Sequence, residues 1–508
     1  MAGEESIALK YPTPMLSLAV LLGAFLRFYR LGCQSIWGDE ALTLQKYAIG
    51  GNLTQFLENA WKNSFHPPLY FLIINYWQRL GDSEFMIRLP SAIFGIASIP
   101  LIYLLVKRLF GEKYAGVAAM LLAISPFNVW YSQEARMYSL MLLLALGSMF
   151  AFLKVWETRR ARDLAVYGIV SLLGLFTHMS FILVILSQGI FTLGAIRHDR
   201  RKSLTYIAVQ MLLLLVFLPW MLYSISARGD LPSGKVIGFE RENSPVHIAY
   251  GLYTFAVGYS LGPTVAGLHY SGARSAIENH VIEIVIPMLI FGALLVAGVI
   301  ESRRVNRIGF QFVNIQFIVP IFLTCAALVF PLIPLNPRYL MTAMPPFLIL
   351  TALGAAFCLR RACLRWIPVV GVLIIGFSLY NNYFQPERGK QDMRSAVRYV
   401  DERARPGDII IISSVELGGP FIYYNRHEGI PFVGYPHSIG LVQPAKLTGD
   451  MNAILHGRDR AWLILGKTWS SDPHGLIRAY FRQRCAPVCG RNFTGVSVSC
   501  FQIYDKGK

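Results

Sequence analysis

Residues 281–305 read VIEIVIPMLIFGALLVAGVIESRRV, with one acid, Glu283, in the first twenty positions and Arg303 and Arg304 closing the run. A stretch of about 20 apolar residues is the length of helix that crosses a bilayer. Ten further runs of similar character lie at 14–29, 88–106, 114–130, 137–153, 164–178, 180–196, 204–222, 309–330, 339–358 and 366–383. The 508-residue chain is 54% apolar and 15% charged, against roughly 25% charged in an ordinary soluble domain. A soluble globule is excluded, and the chain reads as an α-helical polytopic membrane protein with about eleven transmembrane helices.

The net charge of +18 suggests an anionic partner such as nucleic acid until its distribution is considered. The loops after runs 2, 4, 6, 8 and 10 hold 17 Lys and Arg, among them Lys107, Arg108, Arg159, Arg160, Arg200, Arg201, Arg303, Arg304, Arg360 and Arg361, against five acids. The alternate segments 31–88 and 223–280 hold four basic residues each, with five and four acids. By the positive-inside rule the first set is cytoplasmic, which puts the N-terminus in the cytoplasm and the C-terminus outside a cell or inner membrane. Most of the charge is then orientation signal, and no nucleic-acid partner is expected. The first run follows Lys10 and leads into Arg27 and Arg30 without an obvious small-residue cleavage site, so it reads as a retained span.

Residues 1–384 form the membrane domain, with outer loops 31–88 and 223–280. The stretch LYFLIINYWQRL (69–80) is apolar but too short to span, and reads as an interfacial helix with Tyr70, Tyr76 and Trp77 at the headgroup level. The second outer loop mixes ARGDLPSGK (227–235) with an amphipathic stretch at about 245–260. Residues 385–508 read as a small extracytoplasmic α/β domain. QDMRSAVRYVDERAR (391–405) has helical spacing with Met393, Val397 and Val400 on one face, and IIIISS (409–414) is a buried strand. AWLILG (461–466) is another strand, DPHGLIRAYFRQR (472–484) a helix and VSVSCFQIYD (496–505) a closing strand. Two of Cys485, Cys489 and Cys500 can pair in an oxidising compartment, with Cys33 as another partner, and the sequence leaves the choice open.

Ionisable residues at or just above membrane depth are functional candidates by default. Asp39 and Glu40 in QSIWGDEAL (34–42) serve either as helix-capping acids or as a general base for an acceptor hydroxyl. In Phe65-His66-Pro67-Pro68, the two prolines present His66 from a stiff turn. Glu134 and Arg136 sit in SQEARMY (132–138), and Arg338 and Tyr339 follow the proline-rich PLIPLNP (331–337). Glu84 and Arg88 form an i,i+4 pair. These sites all face outward in the topology read from loop charge. Cations to hold a phosphate and a carboxylate to activate a hydroxyl suit transfer from an anionic lipid-linked donor. No Asp-x-Asp or His cluster with ligand spacing is present, so no obligate metal is expected. A transporter or flippase of lipid-linked envelope precursors also places charge in a bundle, but it calls for polar span centres and repeat symmetry, which the sequence lacks. A non-catalytic envelope assembly protein is a further alternative.

The order WGDEA, HPPLY, QEARMYSL, PRYL and KQDMRSAVRYV (390–400) resembles the bacterial branch of the protein-mannosyltransferase-like GT-C glycosyltransferases. The resemblance implies an inverting membrane glycosyltransferase that takes a monosaccharide from a polyprenyl-phosphate donor and gives it to an extracytoplasmic protein, lipid or glycan hydroxyl. It implies Asp39 as catalytic base with Glu40 as support or substitute, and His66, Arg338 and Tyr339 as donor-phosphate contacts. Aminoarabinose transferases of the same superfamily carry Arg two residues after the acidic pair, where this chain has Leu42.

Overall fold

The computed structural model describes residues 13–63, 66–197, 199–229, 246–270, 273–327, 336–426, 429–438 and 440–504. Most of ARGDLPSGK, the PLIPL before Asn336, and Phe65 lie outside them. Eleven helices stand at the eleven apolar runs: α1 (Pro14–Phe28), α2 (Glu84–Phe110), α3 (Glu112–Ile124), α4 (Tyr138–Thr158), α5 (Ala161–Leu175), α6 (Ile182–Gly194), α7 (Arg200–Gly229), α8 (Val281–Val305), α9 (Arg307–Ala327), α10 (Met344–Leu359) and α11 (Trp366–Phe384). Among the described residues, seven helices are long and apolar enough to cross a membrane, or eight if α3 and the helix after it are one bent span. The protein is multi-pass.

The loops rich in Lys and Arg converge at one end of the bundle. Arg108 pairs with Glu157, Arg159 with Asp199 at 2.6 Å, and Asn306 donates to the Leu109 carbonyl at 2.9 Å. Arg360 and Tyr114 both bond Glu301. The candidate functional residues all lie at the opposite end.

Two features inside the bundle were not legible beforehand. Helix α3 breaks at Ser125-Pro126 and continues as Pro126–Ser132 at 56°. The break exposes carbonyls that no helical N–H reaches. Arg27, fully buried, donates to Ala123 O at 3.0 Å, Leu122 O at 3.1 Å and Ser132 Oγ at 3.2 Å, and also bonds Asn128. This fixes the position of the SQEARMY turn. Second, the span centres are not uniformly apolar. Tyr167 donates to Gln188 (2.8 Å), Gln188 to Ser148 (3.0 Å) and Gln210 to Tyr167 (3.2 Å), with Ser148 and Ser171 2.9 Å apart. The network is uncharged and ties α4, α5, α6 and α7 together, as side-chain hydrogen bonds do between helices in lipid.

The stretch read as interfacial forms the helix Leu69–Trp77, but it is built into the protein. Tyr70 is fully buried with its hydroxyl 2.8 Å from Ser91 Oγ, and Trp77 donates to Met86 O at 2.9 Å, while Tyr76 stays exposed. Phe71 and Ile74 are buried in the core, and Asn75 donates to the Ala48 and Gly50 carbonyls, each at 3.0 Å.

Beyond α11 the chain forms one five-stranded sheet in the order β2-β1-β3-β5-β4, from β1 (Ile409–Ile412), β2 (Phe432–Gly434), β3 (Arg460–Gly466), β4 (Cys485–Phe493) and β5 (Val496–Ile503). β1 lies parallel to β2 and β3, and β5 antiparallel to β3 and β4. Met393, Val397 and Val400 are fully buried against one face with Trp462, and Phe481 against the other. The edge strands β2 and β4 escaped the sequence reading because one has three residues and the other, CAPVCGRNF, carries Pro and Gly on an exposed edge. Cys489 and Cys500 face each other across β4 and β5 as free thiols.

The tightest helix crossing is α8 on α10. A Cβ on Gly354 would lie 1.9 Å from Leu294 O, and one on Gly298 would lie 1.9 Å from Leu350 O, so small residues set this approach. Gly354→Val should destabilise the detergent-solubilised protein by about 1–3 kcal/mol or more, seen as a lower thermal midpoint. Gly376→Ala, where an added Cβ meets nothing within 4 Å, should not.

Candidate active site

The segment after α1 turns at Ile36-Trp37 and begins a short helix, Gly38–Leu42, that puts Asp39 and Glu40 in its first turn. Successive helical residues point about 100° apart, and the two carboxylates part company. Glu40 points into the protein and is fully buried. Arg88 donates to both of its oxygens at 2.8 Å, Ala135 N–H donates at 2.9 Å, and Lys390 Nζ lies 3.3 Å away. Burial opposes its charge, but Arg88 and Lys390 outweigh burial and hold the carboxyl below the usual range. Arg88 also donates to Leu31 O, Gln34 O and Ser35 O, so it staples the first outer loop.

The expected Glu84–Arg88 pair does not form, because each residue has a better partner in space. Glu84 meets Arg394 at 2.6 Å and Tyr424 at 2.8 Å, both from the C-terminal domain. Lys390, which sequence reasoning did not single out, puts a side chain only 6% exposed between Glu40 and Glu134 Oε1 (3.6 Å). Its only sequence signal is its place at the head of KQDMRSAVRYV. Burial, together with the charges of Glu40 and Asp39, pushes Glu134 above the usual carboxylate range although Lys390 opposes it.

Asp39 faces the other way, into a cavity of about 1910 Å³ between the bundle and the C-terminal domain, which Glu134 and Arg338 also line. Lys467 and Trp469 reach the same cavity from the domain. Arg338 Nη1 donates to Asp39 Oδ2 at 2.6 Å. Arg136 Nη1 bonds Thr43 Oγ1 at 3.2 Å and the Asp39 carbonyl at 3.4 Å. Burial works against the Asp39 charge, but Arg338 and Arg136 overcome it and hold the carboxyl well below the usual range. Arg338 thus pairs directly with the carboxylate, while Arg136 supports the same turn through the Asp39 backbone carbonyl and Thr43. Arg338 Nε is buried with no hydrogen-bond partner among the described residues.

Behind this pair is a cluster of rings. Arg338 sits over Tyr138 and Tyr339, 5.6 Å from each ring centre. His66 packs edge-on against Tyr47 at 5.8 Å, with Phe71 at 6.1 Å and the ring of His178 at 6.4 Å. Arg136 lies 6.0 Å above Phe71. The structure therefore gathers Asp39, His66, Arg136, Arg338 and Tyr339 into one neighbourhood and assigns Glu40 to a separate buried cluster. Glu134 contacts both. His178 and Tyr138 were not anticipated.

A family model described as dolichyl-phosphate-mannose-protein mannosyltransferase matches residues 65–223. ArnT from Cupriavidus metallidurans, in the apo state, superposes with a TM-score of 0.58 at 14% identity over 96% of this chain and 97% of that one. The fold is GT-C, and residues 65–223 are similar to the mannosyltransferase family model. ArnT bound to undecaprenyl phosphate gives 0.53 at 13% identity, covering 96% and 98%. The Archaeoglobus fulgidus oligosaccharyltransferase AglB, in complex with an inhibitory peptide and a dolichol-phosphate, gives 0.52 at 13%, covering 97% and 74%. At that identity the likeness is one of GT-C fold. YycA of Bacillus subtilis, provisionally named a mannosyltransferase, is 25% identical over 248 residues, 46% of this chain. YkcB of the same organism matches at 25% over 252 residues. The matched stretch spans 35% and 34% of those relatives' own lengths.

The Glu40 cluster holds this GT-C mouth together. Arg88→Leu leaves a buried carboxylate without its main partner and should cost about 3–5 kcal/mol, read as a fall in thermal midpoint or in folded yield. Adding Glu40→Gln should recover part of the loss.

Proposed function

We propose that this protein is an inverting membrane glycosyltransferase that moves a monosaccharide from a polyprenyl-phosphate donor to an acceptor hydroxyl on the extracytoplasmic side. The observation that carries the reading is the Asp39–Arg338 pair at the cavity, a carboxylate met by one guanidinium with a second, Arg136, on its backbone carbonyl. The fold likeness to proteins described in complex with undecaprenyl phosphate and dolichol-phosphate supports the donor class. The positive-inside pattern supports the outer location of this end of the bundle.

In the reaction the acceptor oxygen attacks C1 of the donor sugar as the C1–O bond to phosphate breaks. The hydroxyl proton passes to Asp39, and the electron pair leaves with the polyprenyl phosphate. A glycosidase needs a second acid because its leaving group is poor. A phosphate leaves as a stabilised anion, so a single base and a cationic cradle suffice. Asp39 is the base, Arg338 and Arg136 draw the phosphate, and His66 and Tyr339 complete the cradle. Glu40, with Arg88 on both oxygens, shapes the loop that carries Asp39. Arg338 has a double task. It holds Asp39 ionised, and a donor phosphate competes for the same guanidinium, which returns basicity to Asp39 as the substrate settles.

The protein is proposed to need no obligate metal. Among the described residues, no group of three or more His, Cys, Asp or Glu is arranged to hold an ion. Beside Asp39 the Arg338 guanidinium already occupies the place of a cation, and Glu134 is drawn to Lys390. Leu42, which lines the cavity, supports a donor other than aminoarabinose.

Asp39→Asn should abolish transfer of labelled sugar from a polyprenyl-phosphate donor while leaving insertion and thermal midpoint unchanged. Full activity in that variant would overturn Asp39 as the base, and absence of transfer by the wild type would favour a transporter. Because Asp39 is held below the usual carboxylate range, the wild-type kcat/KM should show no loss of its base between about pH 8 and about pH 5. Transfer should also persist in excess EDTA.

A further inference from the structure

The strand β4 carries two of the cysteines of the C-terminal domain, Cys485 and Cys489, and β5 carries the third, Cys500. Residues four apart on a regular strand face the same way. Here they do not. Cys485 pairs with Ile503, Ala486 with Gln502 and Pro487 with Phe501, but Cys489, not Val488, stands opposite Cys500. The extra residue is a bulge, which leaves Val488 without a partner in the register and turns the side chains after it to the other face. Cys485 is therefore buried with Phe481 and Phe501 on one side of the sheet, while Cys489 and Cys500 pack with Trp462 and Val498 on the other.

This geometry chooses among pairings that the sequence left open. Directly opposed residues on antiparallel strands hold their Cα atoms about 4.5–5.5 Å apart, within the span of about 4.4–6.8 Å that a disulfide bridges. The Cys489 and Cys500 thiols already act on each other. Cys485 is on the far face, and Cys33 lies exposed in the first outer loop. Burial pushes the Cys500 thiol up to about 12, so the more accessible Cys489 is the group that an oxidant meets first. A tie at this point reaches the candidate active site. β4 is an exposed edge strand, and residues 492–497, where it turns into β5, line the cavity that Asp39 faces.

We propose that Cys489 and Cys500 form a disulfide in the folded protein, a cross-link that fixes the β4–β5 hairpin and with it one wall of the cavity. The proposal rests on the extracytoplasmic placement of the C-terminal domain in the reading above, since an oxidising compartment is what keeps such a bond. The Cys489 thiolate attacks a disulfide of an envelope dithiol oxidant and forms a mixed disulfide. Cys500 then loses its proton and displaces the oxidant's sulfur, so the S–S bond forms and the oxidant leaves as a dithiol with two electrons and two protons.

The experiment quenches cells expressing the full-length protein in acid, alkylates the unfolded chain with N-ethylmaleimide and weighs it intact. Without reductant, five of the seven cysteines should be alkylated, the bonded pair excepted, and all seven after dithiothreitol. Cys485→Ser should keep the bond, and Cys489→Ser should abolish it, leaving every remaining thiol alkylated. Dithiothreitol should also shift the thermal midpoint of the wild type downward without moving that of Cys489→Ser. Alkylation of all seven in the unreduced wild type overturns the proposal, and so does a bond that survives Cys489→Ser. Oxidised glutathione, applied to the purified protein with all its thiols free, then separates the causes of failure. A Cys489–Cys500 bond formed there locates the failure in the domain's compartment and overturns its extracytoplasmic placement as well. No bond locates it in the hairpin geometry and leaves the glycosyltransferase reading standing.

Discussion

A carboxylate withdrawn from water at the mouth of a membrane bundle has to be met by cations, and Glu40 is met by two. Arg88 arrives from the first turns of α2 and Lys390 from the start of the C-terminal domain. Because a buried charge without a partner is so costly, this small cluster dictates how the first outer loop, the membrane helices and the domain assemble. Arg88 spends its remaining donors on three carbonyls of the loop. Lys390 reaches on to Glu134. The neighbouring bonds from Ser35 to Asp392 and from Gln45 to Gly419 close the same seam.

Asp39 owes its setting to that anchor. With Glu40 turned inward, the helical geometry of Gly38–Leu42 sends the preceding side chain toward the cavity, where Arg338 waits. The adjacent acids thus part, one into the buried cluster and one toward the cavity. An isolated acid at this depth would lose its proton reluctantly. The charges of Arg338 and Arg136 reverse that tendency.

Much of this was readable in the chain itself. The eleven apolar runs, the alternation of basic loops and the β-branched strand IIIISS depend on composition and period, which are local properties. The candidate residues Asp39, His66, Arg136 and Arg338 were found because ionisable groups stand out against an apolar background. What escaped was long-range. Arg88 looked like the i,i+4 partner of Glu84, yet its partner is 48 positions away. The helix 69–77 read as interfacial from its short apolar length, and its packing through Phe71 and Ile74 was not visible in sequence. The edge strands β2 and β4 lack the pattern that burial imposes.

By itself, then, the sequence determined a polytopic helical protein with its candidate residues at the end away from the basic loops, since hydrophobic length and charge bias act on each segment separately. Only the tertiary structure decided which acid is engaged and which is presented, that Lys390 belongs to the bundle's mouth, and that His178 stands beside His66. Those outcomes depend on which buried charges and hydrogen-bonding groups find one another across the fold, and no spacing along the chain encodes that distance.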